Sequence, residues 1–277
     1  MLGMTLPVNR YAVLGQPIAQ SQSPQIHQWF AEQAGVALSY ERIEVSPEGF
    51  AERLAALHAQ GYAGLNVTSP HKLAALAAAD TRAPLAELAG AANTLVRTAA
   101  GWHADTTDGE GLVRDLRDNL RWPIAQRRVL LLGAGGAARS VLKPLLDERP
   151  AELVISSRTP WTVEKLAAEF KTYGPLRPCT HMALKGDAFD LILNATAAGH
   201  QGQAPRLPDG IVRAGGACYD LSYGAAFAPF RDWAHAQHAA HVSDGIGMLV
   251  EQAAASYALW HGARPQTGPV IERLRRL

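Results

Sequence analysis

The stretch Val129-Leu-Leu-Leu-Gly133-Ala-Gly-Gly-Ala-Ala138-Arg139 runs from an apolar, strand-like segment through a glycine turn into a helix former. Its G-x-G-x-x-A spacing has a mechanical purpose. Gly133 permits a tight turn, Gly135 lets the backbone approach a pyrophosphate, and Ala138 allows the helix to pack close on the strand. The phosphates then sit at the positive end of that helix. About twenty residues on, a site for NAD carries an Asp or Glu that holds the ribose 2'-hydroxyl. Here the next apolar run, 153–157, ends instead in Ser157-Arg158-Thr159. A guanidinium suits a 2'-phosphate through bidentate, charge-assisted hydrogen bonds, so the pattern reads as a site for NADP.

Working outward, candidate parallel strands at 129–132, 153–157, 190–194 and 217–221 predict a Rossmann-type, doubly wound parallel sheet over 109–245. Thr159-Pro160 is an N-cap and N1 pair for a helix ending near Gly174. Pro144, inside the 139–146 helical pattern, predicts a kink. The segment 199–210 reads as a polar, Gly/Pro-rich loop, free to vary or to act as a lid. Upstream, strand-like 11–14, 41–45, 62–68 and 92–98 alternate with helices opened by Ser23-Pro24 and Ser46-Pro47 and closed by Gly35 and Gly61. Residues 1–108 are therefore expected to form an α/β domain of their own. The Ala-rich helix that begins the segment 246–277 follows a completed sheet and is expected to return to the first domain. Gly109 and Gly245, with Gly247, are the expected hinges of the two crossings, about which the domains would close.

A chain of 277 residues, 48% hydrophobic and 18% charged, can bury two modest cores. The formal net charge of +1 gives no pull toward nucleic acid, and the arginines at 273, 275 and 276 read as a solvated terminal helix. No segment has the length to span a bilayer or the apolar core of a signal peptide, so no membrane partner is expected. Cys179 and Cys218, outside any C-x-x-C arrangement, read as buried, reduced thiols of a cytoplasmic protein. His235, His238 and His241 recur every three residues on an expected helix, but no acidic ligand stands at a useful spacing, so no metal is expected. The expected partner is a small molecule, with the protein a monomer or a homodimer.

Hydride transfer needs a substrate anchor, a proton donor for the developing alkoxide, and a group that orients the donor. Ser21 and Ser23 flank Gln22 at the mouth of a helix, where two hydroxyls and the helix N-terminus suit a carboxylate; Ser23 alone would serve as a helix cap. Asn66-Val-Thr68 ends a strand and Lys72 follows. Asn93-Thr94 and Asp105-Thr106-Thr107-Asp108-Gly109 end later strands, where the functional side chains of α/β folds collect. Singly, each is a turn former, a cap or a solvated charge.

Taken together, the chain resembles the shikimate dehydrogenase family over almost its full length. The residues that carry the resemblance begin with Tyr11-Ala-Val-Leu-Gly15 leading to Ser21-Gln-Ser23-Pro24, Asn66-Val-Thr68-x-Pro70-His-Lys72 and Ala89-Gly-Ala-Ala-Asn93-Thr94. They continue through Thr107-Asp108-Gly109, the 133–137 glycine turn, Ser157-Arg158-Thr159, Asn194-Ala-Thr196, Tyr219-Asp-Leu221-x-Tyr223 and Asp244-Gly245-x-Gly-Met-Leu-Val-x-Gln252. The resemblance implies reversible, NADPH-dependent reduction of the 3-keto group of 3-dehydroshikimate to shikimate, with Lys72 and Asp108 as the catalytic pair. It implies that Ser21, Ser23 and Tyr223 hold the carboxylate and that Asn66, Thr68, Asn93 and Gln252 bind ring hydroxyls. Gly133, Ala134, Gly135, Gly136, Ala137, Ser157, Arg158, Thr159, Asn194, Leu221 and Gly245 would line the NADP(H) site. A carboxylate near Lys72 keeps it charged and oriented but makes it a poorer acid, so the two titrate as one unit.

Three positions depart from the family's pattern. Thr106 stands where Asn is usual, Ser157 replaces the Asn of Asn-Arg-Thr, and Thr162 falls where a second basic residue often follows, leaving NADP selectivity resting mainly on Arg158. Quinate, or an aminoshikimate analogue, is the alternative substrate, with relaxed cofactor use; Ser23 rather than Thr favours shikimate. A non-catalytic NADP-binding sensor is the alternative from a different class, and the retention of both Lys72 and Asp108 argues against it.

Overall fold

The computed structural model describes residues 9–277. The chain divides into two compact units, one holding the described residues up to Thr107 together with Gln252–Leu277, the other Asp108–Glu251.

In the first unit, β1 (Asn9–Gly15), β2 (Leu38–Glu44), β3 (Gly64–Val67), β4 (Thr81–Arg82), β5 (Thr94–Thr98) and β6 (Gly101–Asp105) form one sheet in the order β2-β1-β3-β5-β6-β4. The first three are parallel, crossed over by α1 (Ser23–Ala34) and α2 (Phe50–Ala59). β5 runs antiparallel to both β3 and β6, and with β6 it must, because a connection as short as Ala99-Ala100 can join only an antiparallel pair. This hairpin, unforeseen in the sequence, sets Asn93 and Thr94 opposite the Asp105–Thr107 segment: the Asn93 N–H donates to Asp105 O at 3.1 Å. Leu14, Leu65 and Leu95 pack with Phe50, Leu54 and Trp102 in the core of the unit. The last helices are α9 (Ile246–His261) and α10 (Gly268–Leu274). Trp260 of α9 stacks on Tyr11 and donates from Nε1 to Leu95 O at 3.1 Å. Only a glycine at position 64 makes room for it, since a Cβ there would lie 2.2 Å from Trp260 Nε1.

The second unit contains α5 (Asp108–Arg114), β7 (Arg128–Leu132), α6 (Gly136–Asp147), β8 (Glu152–Ser157), α7 (Pro160–Phe170), β9 (Leu176–Thr180), β10 (Phe189–Asn194), β11 (Val212–Asp220), α8 (Ala228–Ala236) and β12 (His241–Ser243). All its strand pairs are parallel, in the order β12-β11-β10-β7-β8-β9. The order reverses between β7 and β10, and ligands of doubly wound sheets bind outside the carboxyl ends of the strands at such a reversal. Val129, Leu130, Leu131 and Leu132 are all fully buried, which is why strands covered on both faces read as unbroken apolar runs.

Several expectations are corrected. The helix after Thr159 ends at Phe170, and the segment beyond it forms β9, a half-buried edge strand whose position tolerates Pro178. His235, His238 and His241 share no helix face: α8 ends at Ala236, His238 has a φ of 59°, and His241 opens β12. Segment 199–210 is not wholly free, because Gly199 packs so closely on Ala226 O that a Cβ would come within 1.9 Å of it. Of the cysteines, Cys218 is buried and Cys179 only partly so.

The glycines at the crossings are close-packing residues. None of Gly109, Gly245 and Gly247 has a left-handed φ. A Cβ at Gly109 would lie 2.6 Å from Ser140 O, the carbonyl that Pro144, lacking an N–H, leaves without its helical donor. A Cβ at Gly245 would lie 2.3 Å from Leu221 O, and one at Gly247 1.9 Å from the Asp115 carboxylate. The start of α9 is therefore bound into the second unit, where the Met248 N–H donates to Tyr219 Oη and Tyr219 in turn donates to Asp115 Oδ2 at 2.7 Å. The division between units consequently falls between Glu251 and Gln252, inside α9, rather than at the expected 245/246.

Candidate active site

In the first unit, three loops at the carboxyl ends of β1, β2 and β3 are tied together by backbone bonds: Thr68 N to Leu14 O at 2.9 Å, Gln16 N to Ser69 O at 3.1 Å and Val45 N to Gly15 O at 3.3 Å. Ser21 and Ser23 bring their hydroxyls to 3.2 Å of each other at the start of α1. Gln22 is the N-cap and its side chain makes no capping bond, while the Ser23 N–H donates to Ser21 Oγ at 3.4 Å, so Ser23 does not serve as the cap. Thr68 lies half-buried just beyond β3. Its carbonyl receives the His71 N–H, and His71 is locked in place by a 2.7 Å contact from Nε2 to Val45 O and by stacking on Phe50. Lys72 follows as the first residue of a helix, α3 (Lys72–Ala78), and its carbonyl receives the Ala92 N–H.

Asn66, Asn93 and Gln252 come together in this unit. Asn93 Nδ2 donates to Gln252 Oε1 at 3.0 Å and to Thr107 Oγ1 at 2.9 Å, while its Oδ1 receives the Thr107 N–H at 2.8 Å. Asn66 Nδ2 donates to Asn93 O at 3.2 Å, and Asn66 Oδ1 receives the Tyr40 hydroxyl at 2.7 Å. Ser256, unmarked in the sequence, and Thr94, marked there only as the neighbour of Asn93, are fully buried members of the same network, with their hydroxyls 2.7 Å apart. Thr106 is buried too, and its Oγ1 has no hydrogen-bond partner. Against Tyr40 stacks His27, whose complete burial drives its pKa down to about 3; it is neutral at any physiological pH.

Asp108 and Tyr223 belong to the second unit. Asp108 is the buried first residue of α5, and Tyr223 is the half-buried residue before a short 3-10 turn. The glycine turn between β7 and α6 has the geometry its spacing demands. Gly133 has a φ of 110° and donates to Ser156 O at 2.8 Å, and a Cβ there would lie 3.0 Å from Ala195 O. Ala134 and Gly136 are half-buried, and Gly135 is exposed as the N-cap of α6, where a Cβ would meet nothing within 4 Å. Open space over Gly135, and a helix start with no side-chain cap, fit a pyrophosphate at this turn. Ala137 lies in the first turn of α6 and Ala138 is fully buried.

At the end of β8, Ser157 Oγ donates to Thr159 O at 2.8 Å, receives the Thr159 N–H at 3.2 Å, and lies 2.9 Å from Thr162 Oγ1. Two departures from the family pattern, Ser157 and Thr162, thus form a bonded pair that holds the turn from which Arg158 projects into solvent. His181, missed in the sequence, has its Nδ1 2.9 Å from Ser156 Oγ, and burial together with the Arg158 charge lowers its pKa. Asn194 is buried, with Nδ2 donating to Asp220 and Oδ1 receiving the Thr196 N–H and hydroxyl; its side chain shapes the loop after β10. Burial raises the Asp220 carboxyl to about 6. Leu221 N donates to Asn194 O and Gly245 N to Ser222 O, each at 2.9 Å, which brings the last two segments of the expected cofactor site together. Among the described residues, no three His, Cys, Asp or Glu side chains are grouped to hold a metal ion, and no helix is long and apolar enough to cross a membrane.

Family models for the shikimate dehydrogenase substrate-binding domain, shikimate/quinate 5-dehydrogenase and the shikimate 5'-dehydrogenase C-terminal domain match residues 13–95, 116–202 and 245–275. A shikimate dehydrogenase (NADP(+)) of Methylococcus capsulatus is 51% identical, over 98% of this chain and 97% of its own length. One of Alkalilimnicola ehrlichii is 49% identical, over 96% and 98%. The crystal structure of a Thermus thermophilus shikimate 5-dehydrogenase in complex with NADP(H) and shikimate is 32% identical and superposes with a TM-score of 0.84, over 97% of this chain and 99% of that one. With both halves of the chain and nearly its whole length matched, it belongs to the shikimate dehydrogenase family.

Proposed function

We propose that the protein is an NADP-dependent shikimate dehydrogenase, catalysing 3-dehydroshikimate + NADPH + H⁺ ⇌ shikimate + NADP⁺. The observation that carries this reading is the pairing of two features in one chain. One is a glycine turn with open space over Gly135, followed by Arg158; the other is a set of three side-chain amides, the buried Asn66 and Asn93 with the half-buried Gln252.

In this reading the unit of residues up to Thr107 with Gln252–Leu277 binds substrate and the unit Asp108–Glu251 binds the cofactor. The nicotinamide of NADPH, when bound, supplies the hydride. Gly133 to Ala137 receive the pyrophosphate, Arg158 the 2'-phosphate, and Ser157, Thr159, Asn194, Leu221 and Gly245 shape the rest of the site. Ser21, Ser23 and Tyr223 hold the carboxylate, and Asn66, Thr68, Asn93 and Gln252 hold ring hydroxyls. The Lys72 ammonium stabilises the alkoxide as it forms and delivers its proton, while Asp108 orients the ammonium. The proposed setting is the cytoplasm, consistent with two unbridged cysteines. The test is to incubate the purified protein with 3-dehydroshikimate and NADPH and identify the product by chromatography and mass spectrometry. Shikimate formed in step with NADPH loss is expected; NADPH loss without shikimate, or no reaction, overturns the reading.

A further inference from the structure

Ser256 lies one helical turn beyond Gln252 on the same face of α9 and is completely buried. Around its hydroxyl stand Asn66 Nδ2 at 3.0 Å, Thr94 Oγ1 at 2.7 Å, Thr107 Oγ1 at 3.2 Å and Gln252 O at 3.1 Å. We propose that Ser256 is a positioning residue that, with Tyr40, fixes the amide of Asn66 so that Asn66 meets the substrate only as a hydrogen-bond acceptor. The proposal rests on the reading of Asn66 as a substrate-binding residue.

The polarity of the amide follows from which neighbours can donate and which cannot. A backbone carbonyl only accepts, so the Asn66 atom 3.2 Å from Asn93 O is its NH₂ group. The oxygen then faces Tyr40, whose hydroxyl donates to it at 2.7 Å. Burial holds the Tyr40 phenol well above its usual pKa, so it keeps its proton. One N–H of the amide is taken by Asn93 O and the other points at Ser256 Oγ at 3.0 Å, with Thr94 Oγ1 a longer second acceptor at 3.4 Å. Ser256 accepts it and passes its own proton to Thr94 Oγ1 or Gln252 O; Thr94 in turn donates to Asn93 Oδ1 at 3.0 Å. Both amide hydrogens of Asn66 are therefore consumed inside the protein, and only a lone pair on Oδ1 is left for a ligand. A ring hydroxyl that donates is matched, and a group that can only accept at that position, such as a keto oxygen, is not. Without the Ser256 hydroxyl, one N–H of an amide only 5% exposed loses the nearer of its two acceptors and is left with Thr94 Oγ1 at 3.4 Å, which weakens the hold on the amide's productive setting.

The experiment is steady-state kinetics with shikimate and NADP⁺ on Ser256→Ala, Asn66→Ala and the double variant, with thermal unfolding of each. Ser256→Ala is expected to raise the shikimate KM about tenfold, the order of one buried hydrogen bond, with kcat within about twofold and the NADP⁺ KM unchanged. In the Asn66→Ala background the same change should have no further effect on shikimate KM. An unchanged KM in Ser256→Ala, a fall in kcat alone, or effects that multiply independently with Asn66→Ala overturns the proposal. If Asn66→Ala itself leaves KM unchanged, the assignment of Asn66 to the substrate is wrong, which is a separate failure. Should Ser256→Ala not fold, Tyr40→Phe tests the same amide from its oxygen side, with the same KM rise and the same dependence on Asn66 expected.

Discussion

Gly135→Ala is expected to separate cofactor binding from folding. Gly135 has a φ of −80°, open to any residue, and a Cβ built there meets nothing within 4 Å. The folded state takes the methyl without strain, and losing a glycine from the unfolded chain stabilises by about 0.4–1 kcal/mol. The same methyl fills the space through which a pyrophosphate would reach the N–H groups at the start of α6. One charge-assisted hydrogen bond is worth about 1.5–3 kcal/mol, and 2 kcal/mol is about thirtyfold in Kd. At about one hundred times the wild-type Kd, NADP⁺ stabilises the wild type by about 2.7 kcal/mol; with Kd raised about thirtyfold, the same concentration stabilises the variant by only about 0.9 kcal/mol. Urea unfolding with and without NADP⁺, alongside fluorescence titration with NADPH, reads both quantities. Gly133→Ala is the contrast: with its φ of 110° and a Cβ 3.0 Å from Ala195 O, it should destabilise the ligand-free protein by about 1–3 kcal/mol. A Gly135→Ala protein as unstable as Gly133→Ala without ligand, or one that binds NADPH as the wild type does, refutes the reasoning.

Lys72→Ala is expected to lower kcat by at least about a hundredfold while calorimetric shikimate binding changes little, because the ammonium acts on charge that appears in the transition state; near-normal turnover would move the proton donor elsewhere. Arg158→Ala should weaken NADP⁺ binding about ten- to a hundredfold and leave NAD⁺ binding unchanged, since Thr162 is engaged with Ser157 and supplies no charge; a preserved NADP⁺ over NAD⁺ ratio would point to Lys165. Asp220 has a folded-state pKa of about 6 against an ordinary 3.8, so between those values the folded state holds a proton that the unfolded state has lost. Its contribution to stability therefore falls as pH rises through that window, by up to about 1.4 kcal/mol per pH unit. Asp220→Asn should remove this slope, so a wild-type minus variant stability difference that stays flat from about pH 4 to 6 contradicts the burial argument.

What was legible in the sequence follows from how each signal arises. β7, β8, β10 and β11 were visible because strands buried on both faces must be apolar throughout, and the glycine turn because only glycine adopts the φ of 110° at Gly133. β9 was invisible because an edge strand can be half-buried and carry Pro178. The crossing glycines were visible as glycines but their packing was not: Gly109, Gly245 and Gly247 lie against backbone and carboxylate atoms of neighbouring elements, contacts that no local pattern encodes. The same holds at the candidate site. Asn66, Asn93 and Gln252 stand out through the motifs around them, whereas Ser256 is one small residue in an Ala-rich helix and Tyr40 one aromatic in a half-exposed strand. The importance of Ser256 exists only once β3, β5 and the second half of α9 bring Asn66 and Thr94 to 3.0 and 2.7 Å from it, and that of Tyr40 once β2 and β3 flank β1 and bring Asn66 to 2.7 Å.

The central claim is tested most directly by comparing kcat/KM for shikimate and for quinate, each with NADP⁺ and with NAD⁺, from the rise in nicotinamide absorbance. Ser23 and Arg158 together predict that shikimate with NADP⁺ is used far more efficiently than any other pairing. Equal or better efficiency with quinate and NAD⁺ would contradict the account.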